Sequence, residues 1–217
     1  MNLKKLPVFF AMACIAGSLS CMSGCATTGM DRAAKTTTSM QDVQTDIDQA
    51  AMQVDATNAA LDDLMNPGQP DVKASFKKYS KNVEKMEDIA KRLNRHTEQM
   101  KRRGNNYFME WDQQDNKYTN PQIQALSEQR RTELRETYSQ IAASSVGVKG
   151  AMDTYVADIK EIEKYLAYDL TPKGIEAIAP VAQRTKQDGE KLKEVIRPVQ
   201  AAIQRTKIEM APGAPRM

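Results

Sequence analysis

The 217-residue sequence is poor in the residues that most chemistry needs, with one histidine, one tryptophan, three cysteines and four phenylalanines. A single histidine, His96, excludes a ferritin-like metal site, which takes two Glu-x-x-His sets directed into a bundle. It equally excludes a zinc site of paired Cys and His. A Gly-rich phosphate loop and a Gly-x-Ser-x-Gly elbow are both missing, and with them two common catalytic frameworks. The many carboxylates fall at helical surface spacings, where solvent-facing acids far outnumber catalytic ones. The expectation is a non-enzymatic chain with no metal, no cofactor and no small-molecule substrate. One-sided charge is also lacking. Thirty-one Lys and Arg stand against 28 Asp and Glu, interspersed as on solvated helix faces, so nucleic acid is not an expected partner.

Long apolar runs are absent except for one, Leu6 to Leu19. Lys4-Lys5 precedes it and small residues lead from it to Ser23-Gly24-Cys25, the order of a secretory signal. The run contains Pro7 and is shorter than the ~18 to 20 residues needed to cross hydrocarbon. At its end, Met22-Ser23-Gly24-Cys25 resembles the lipobox of bacterial lipoproteins, with Met22 where Leu is usual. That resemblance implies diacylglycerol on Cys25 and cleavage before it. Cys21 is a weaker rival, since Ser18 stands where an aliphatic residue is wanted. Cleavage before Cys25 leaves 193 of the 217 residues, 29 Lys and Arg against 28 Asp and Glu, and one cysteine that carries lipid. No internal disulfide is then available, and stability must come from side-chain packing. The expected address is the cell envelope, anchored to the membrane by the N-terminal lipid. Ala26 is not the aspartate of an inner-membrane retention signal, which favours the outer membrane, facing the periplasm.

What the sequence has in abundance is helical periodicity. After a Thr-rich tether over 25–39, apolar or small residues recur at steps of three and four: Met40, Val43, Ile47, Ala50, Val54, Thr57, Leu61, Leu64. Asn66-Pro67-Gly68-Gln69-Pro70 stops this helix. The spacing resumes with Val72, Phe76, Tyr79, Val83, Met86, Ala90, Leu93, Thr97, Met100, Gly104, Tyr107 and Trp111, and reaches Tyr118. That second helix is about 47 residues and roughly 70 Å long, with a kink expected at Gly104-Asn105-Asn106. Thr119-Asn120-Pro121 reads as a turn, with Asn120 as N-cap and Pro121 at the first helical position. A third helix carries Leu134, Tyr138, Ile141, Ser145, Val148, Met152, Tyr155, Ile159, Ile162 and Leu166. Thr171-Pro172 opens a fourth, bent or broken at Pro180 and Pro198.

The expected fold is therefore all-α, an elongated antiparallel bundle of about four helices. It occupies residues 40–208, after a signal over 1–24 and before a frayed tail over 209–217. Short connections make the second and third helices a long central hairpin. Its tip is expected to project beyond the four-helix part by about 12 to 15 residues, roughly 20 Å. Ser144, Ser145, Gly147 and Gly150 should form a belt of small residues near Gly189 and Pro198 that lets helices approach closely.

Two groups of residues near the tip are candidate contacts for a partner or a membrane. Tyr107, Phe108, Trp111 and Tyr118 could anchor a protein or sit at a lipid interface; alternatively, Tyr107, Trp111 and Tyr118 simply continue the apolar seam. Phe108 lies off that seam, so its exposure discriminates. Lys101, Arg102 and Arg103, with Arg130-Arg131 on the facing helix, could form a basic collar for anionic headgroups, or a solvated face balanced by Glu110 and Glu133. His96 is expected to be an ordinary surface or seam-flanking residue.

Glu110-Trp111, Tyr118-Thr119-Asn120-Pro121 and Leu134-Arg135-Glu136-Thr137-Tyr138 together resemble a bacterial family of predicted lipoproteins classed as a domain of unknown function. That family has a Glu-Trp, a Tyr-x-Asn-Pro turn and a following Leu-Arg-x-Thr helix. The resemblance covers about residues 72–205. Lys35-Thr36-Thr37-Thr38 departs from it, standing where a more charged stretch is usual. It implies an all-helical envelope lipoprotein and no particular activity. The expected role is a scaffold or protein-binding module with an unidentified protein partner. A membrane-active helical protein that contacts or remodels lipid through its aromatic tip is the alternative, and an enzyme or ligand carrier a third.

Overall fold

The computed structural model describes residues 29–211 except 69 and 116, and the side chain of residue 115 is likewise outside it. The signal segment and Cys25 lie outside the described residues. Four helices follow in order: α1 (Gly29–Met65), α2 (Val72–Asp115), α3 (Pro121–Tyr168) and α4 (Pro172–Met210). α1 packs against α2 and α4, and α3 against the same two. This is an antiparallel four-helix bundle with no strand among the described residues. At about 1.5 Å per residue, α2 and α3 are roughly 65 to 70 Å long.

Local chemistry explains where the helices start. Asp71 receives the amide of Ala74 at 3.0 Å. Asn120 accepts from Gln122 and Ile123 with Pro121 following, and Thr171 accepts from Gly174 with Pro172 following. Each cap satisfies N–H groups that the first helical turn leaves without partners. The ten seam residues expected on α3, Leu134 through Leu166, are the ten it buries.

One expectation changes, and two others gain detail. Residues 29–39, read as part of a flexible tether, are helical, and Thr36 and Ser39 are buried. Thr36 is in phase with Met40 and Val43, so the four-and-three spacing continues back through it. The hydroxyls of Thr38 and Ser39 bond back to the carbonyls of Ala34 and Thr36, which meets their polar demand inside the helix. Packing of small side chains outweighs weak helix propensity here. Gly104 does not break α2. A Cβ there would overlap the Tyr138 ring, so the glycine admits a neighbour. α4 is likewise one helix through Pro180 and Pro198, held by Ala182, Leu192, Ile196, Val199 and Ile203 in the core.

Polar pairs fix the register. Between α1 and α4, Asp62–Lys186, Asp55–Lys193, Asp48–Gln200 and Gln41–Lys207 recur at one heptad along both helices. A seven-residue repeat keeps the same face toward the neighbour, so each rung meets its partner. At the tip end, Arg32 pairs with Glu110, Arg131 with Asp112 and Arg130 with Glu209. Gly29, residue 113, residue 128 and Met210 therefore lie at about one level. Beyond it extend the end of α2, residues 117–120 and two turns of α3, about 8 residues or roughly 12 Å. The tip projects less far than expected because α1 starts at Gly29.

Candidate functional site

The aromatic cluster at the tip end is built mostly inward. Phe108 is 4% exposed and meets Tyr138 edge-on at 5.7 Å and Tyr107 at 5.1 Å. The Arg135 guanidinium lies 5.3 Å from its ring centroid, a favourable placement over the ring face. From Gly104 the buried stripe steps four residues to Phe108, where a heptad would step three to Tyr107. A four-residue step is a stutter, which shifts the face that an undistorted helix presents. Tyr107 and Trp111 are partly buried against the core, 5.6 Å apart, and Trp111 Nε1 donates to Ser127 Oγ at 2.7 Å. Burial pushes the Tyr107 hydroxyl above its ordinary pKa, and the nearby Arg130 partly offsets it. Tyr118 is past the end of α2 and exposed. Of the four aromatics singled out, Phe108 is thus a core residue, and Tyr118 is the one presented openly.

The basic collar is largely engaged. Lys101 pairs with Glu98 at 3.0 Å, and Arg103 donates to the carbonyl of Lys35. Arg130 reaches Glu133 and Glu209. Arg131 and Arg135 both hold Asp112, while Arg102 is exposed. Arg103 thereby ties α1 to the hairpin and Arg130 ties α4 to it, while the Asp112 pairs join α2 to α3, a structural use of the charge.

His96 has a more specific role than expected. Its Nδ1 lies 2.6 Å from Asp46 Oδ2, and Arg92 Nε donates to Asp46 Oδ1. Asp46 is 2% exposed. A buried carboxylate is tolerated only with such partners, and this one ties α1 to α2. Among the described residues no group of three or more His, Cys, Asp or Glu is placed to hold a metal ion.

The small-residue belt is divided. A Cβ on Gly189 would come within 2.8 Å of Val54 and 2.9 Å of Tyr155, so this glycine permits close approach. Tyr155 crosses the bundle diagonally to donate to Asn58 Oδ1 at 2.8 Å. Ser145 is buried and bonds back to Ile141. Gly147 and Gly150, by contrast, face open space.

The concave surfaces lie mainly between α2 and α3. One hollow of about 210 Å³ is bounded by Leu93, Thr97, Ser145, Val148 and Met152. A second of about 500 Å³ lies nearer the tip, bounded by Phe108, Met109, Arg135, Tyr138 and Ala142. Lys101 borders both. Their walls are mostly apolar and open to solvent. Sequence periodicity could not find them, because the residues serve equally as seam. Around the tip, Met109, Tyr118, Ile123 and Leu126 are exposed. Ile123 and Leu126 were not among the expected contacts, although two aliphatic residues three apart just after a capped helix start are a readable signal.

No helix among the described residues is long and apolar enough to cross a membrane. Comparisons with curated proteins and with solved structures gave no match. The family described as "Protein of unknown function (DUF2959)" matches residues 24–210, a span that includes the Thr-rich start of α1 and all four helices, and the chain belongs to that family.

Proposed function

We propose that this chain is a non-enzymatic lipoprotein of the bacterial envelope, anchored through Cys25 at the outer membrane and facing the periplasm. Its bundle acts as a scaffold or protein-binding module. The observation that carries the reading is positional. The lysine, apolar and small-residue order ending at Ser23-Gly24-Cys25 stands only four residues before the first residue of a long helical rod. Such a rod holds a binding face away from the surface to which its end is tied. The open apolar walls between α2 and α3, with Met109 and Val146 exposed along them, suit a helical or extended protein segment better than a small molecule. A drug-sized ligand needs a site that encloses most of its surface.

The test is in-cell photocrosslinking from Met109 and Val146, with Lys73 near the opposite end as control, and identification of what is captured. A single protein trapped along the groove and absent from the control supports the module reading. Equal capture from all three positions contradicts it. Cys25→Ser tests the anchor separately: the variant should lose incorporation of labelled glycerol and fatty acid with its bundle intact.

A further inference from the structure

We propose that the tip of the α2–α3 hairpin rests on the same lipid surface that the anchor enters, with Tyr118, Ile123 and Leu126 as its contact residues. This rests on the Cys25 anchor reading. Three residues lie between Cys25 and Gly29, so the four steps from one Cα to the other span at most about 14 Å even when extended. Gly29 lies level with residue 128 of α3, and the tip protrudes roughly 12 Å beyond that level. The reach of the tether and the height of the tip therefore coincide. A bundle whose anchor is in the bilayer brings its tip to the headgroups.

The surface chemistry of that end fits a lipid interface. Tyr118 is 41%, Ile123 48% and Leu126 67% exposed, and Met30, Met109 and Ile208 around them are exposed as well. Six of the eleven large hydrophobics that the described residues expose lie at this one end of the rod. Lys117 is exposed in the same turn, where a cation favours anionic headgroups. Tyrosine and short aliphatic patches are suited to the boundary between headgroup and acyl chain, and they do not require a spanning segment. Two points of contact, one covalent and one adsorbed, fix how the rod stands where a single point of attachment leaves it free to tumble.

The test uses the full lipidated chain, purified from membranes and reconstituted into vesicles of phosphatidylethanolamine and phosphatidylglycerol. Single substitutions Ile123→Cys, Leu126→Cys and Tyr168→Cys carry an environment-sensitive fluorophore; an acylated Cys25 does not react with it. Tyr168 is 89% exposed at the opposite end. The expected result is loss of iodide quenching at 123 and 126, with quenching by nitroxide-labelled lipid, while the 168 label stays open to iodide. A chain that floats with the vesicles but leaves 123 and 126 as open to iodide as 168 overturns the tip contact and spares the anchor. Shielding from iodide without lipid quenching means that protein covers the tip, which also overturns the proposal. A chain that does not float and whose Cys25 takes up fluorophore overturns the anchor reading and this one with it.

Discussion

Alanine substitution of four helical glycines should give opposite signs according to what each faces. In an exposed helix interior, alanine is better than glycine by about 0.8 to 1.0 kcal/mol. Gly147 and Gly150 have nothing within 4 Å of a built Cβ, so each substitution should stabilise by nearly that amount. At Gly104 the same gain is opposed by overlap with the Tyr138 ring. That ring is 5% exposed and its hydroxyl donates to the carbonyl of Met100. Moving it costs about 1 to 3 kcal/mol for overpacking and about 1 kcal/mol for the hydrogen bond, a net loss of about 2 kcal/mol. Gly189 meets Val54 and Tyr155 less severely and should fall between. Thermal unfolding of residues 26–217, followed by circular dichroism, reads all four. A domain of this size shifts its Tm by about 2 to 4 °C per kcal/mol, so the open and closed sites should separate by several degrees. Equal stabilisation by Gly104→Ala and Gly150→Ala would refute the close approach of α3 to α2.

Other outcomes follow from the same geometry. Asp46→Ala leaves Arg92 and His96 without their shared carboxylate; the partial exposure of both puts the loss at about 2 to 3 kcal/mol, somewhat below the ~3 to 5 kcal/mol for breaking a fully buried pair. Asp46→Asn should cost less, both read by urea midpoint. Burial holds the hydroxyls of Tyr79, Tyr138 and Tyr155 well above their ordinary pKa of 10. The folded state therefore keeps them neutral while the unfolded chain ionises them. Stability is full below pH 10 and falls above it, by about 1.4 kcal/mol per pH unit for each tyrosine, a steep alkaline transition that circular dichroism would follow. Reversing Asp55 and Asp62 to lysine opposes them to Lys193 and Lys186, at about 1 kcal/mol in total for such exposed pairs. Combining this with Lys186→Asp and Lys193→Asp should restore the urea midpoint if the α1–α4 rungs are real.

Helix number, order and seams were legible because the four-and-three spacing is nearly unbroken from Thr36 to Leu64 and from Leu134 to Leu166. Asn120-Pro121 and Thr171-Pro172 marked helix starts by a mechanism that needs no tertiary contact. What composition hid was context. Threonines at 36–38 suggested a tether, yet the Thr38 hydroxyl bonds within the helix and Thr36 fills a core position. Gly104 reads in the sequence only as a weak point of its helix, whereas its use is to make room for Tyr138. Phe108 came out of phase because a four-residue step rotates the buried face, and only the position of Tyr138 across the interface shows which aromatic enters. Asp46 with Arg92 and His96, and the ladder from Asp62 to Gln41, depend on register between helices. That register could be drawn from the seven-residue spacing of Asp48, Asp55 and Asp62 against Lys186, Lys193 and Lys207 only once α1 and α4 were known to be neighbours. The family match covers residues 24–210, a wider span than the 72–205 of the motif resemblance, which agrees with α1 being part of the bundle from Gly29.

The account turns on Cys25, because the anchor, the address and the meeting of tip and membrane all depend on it. The most direct measurement is the intact mass of the chain purified from the membrane fraction, with fragmentation of its N-terminal peptide. The account predicts a chain that begins at Cys25 and carries a diacylglycerol thioether there. A chain that retains residues before Cys25, begins elsewhere, or begins at Cys25 with a free thiol would contradict it.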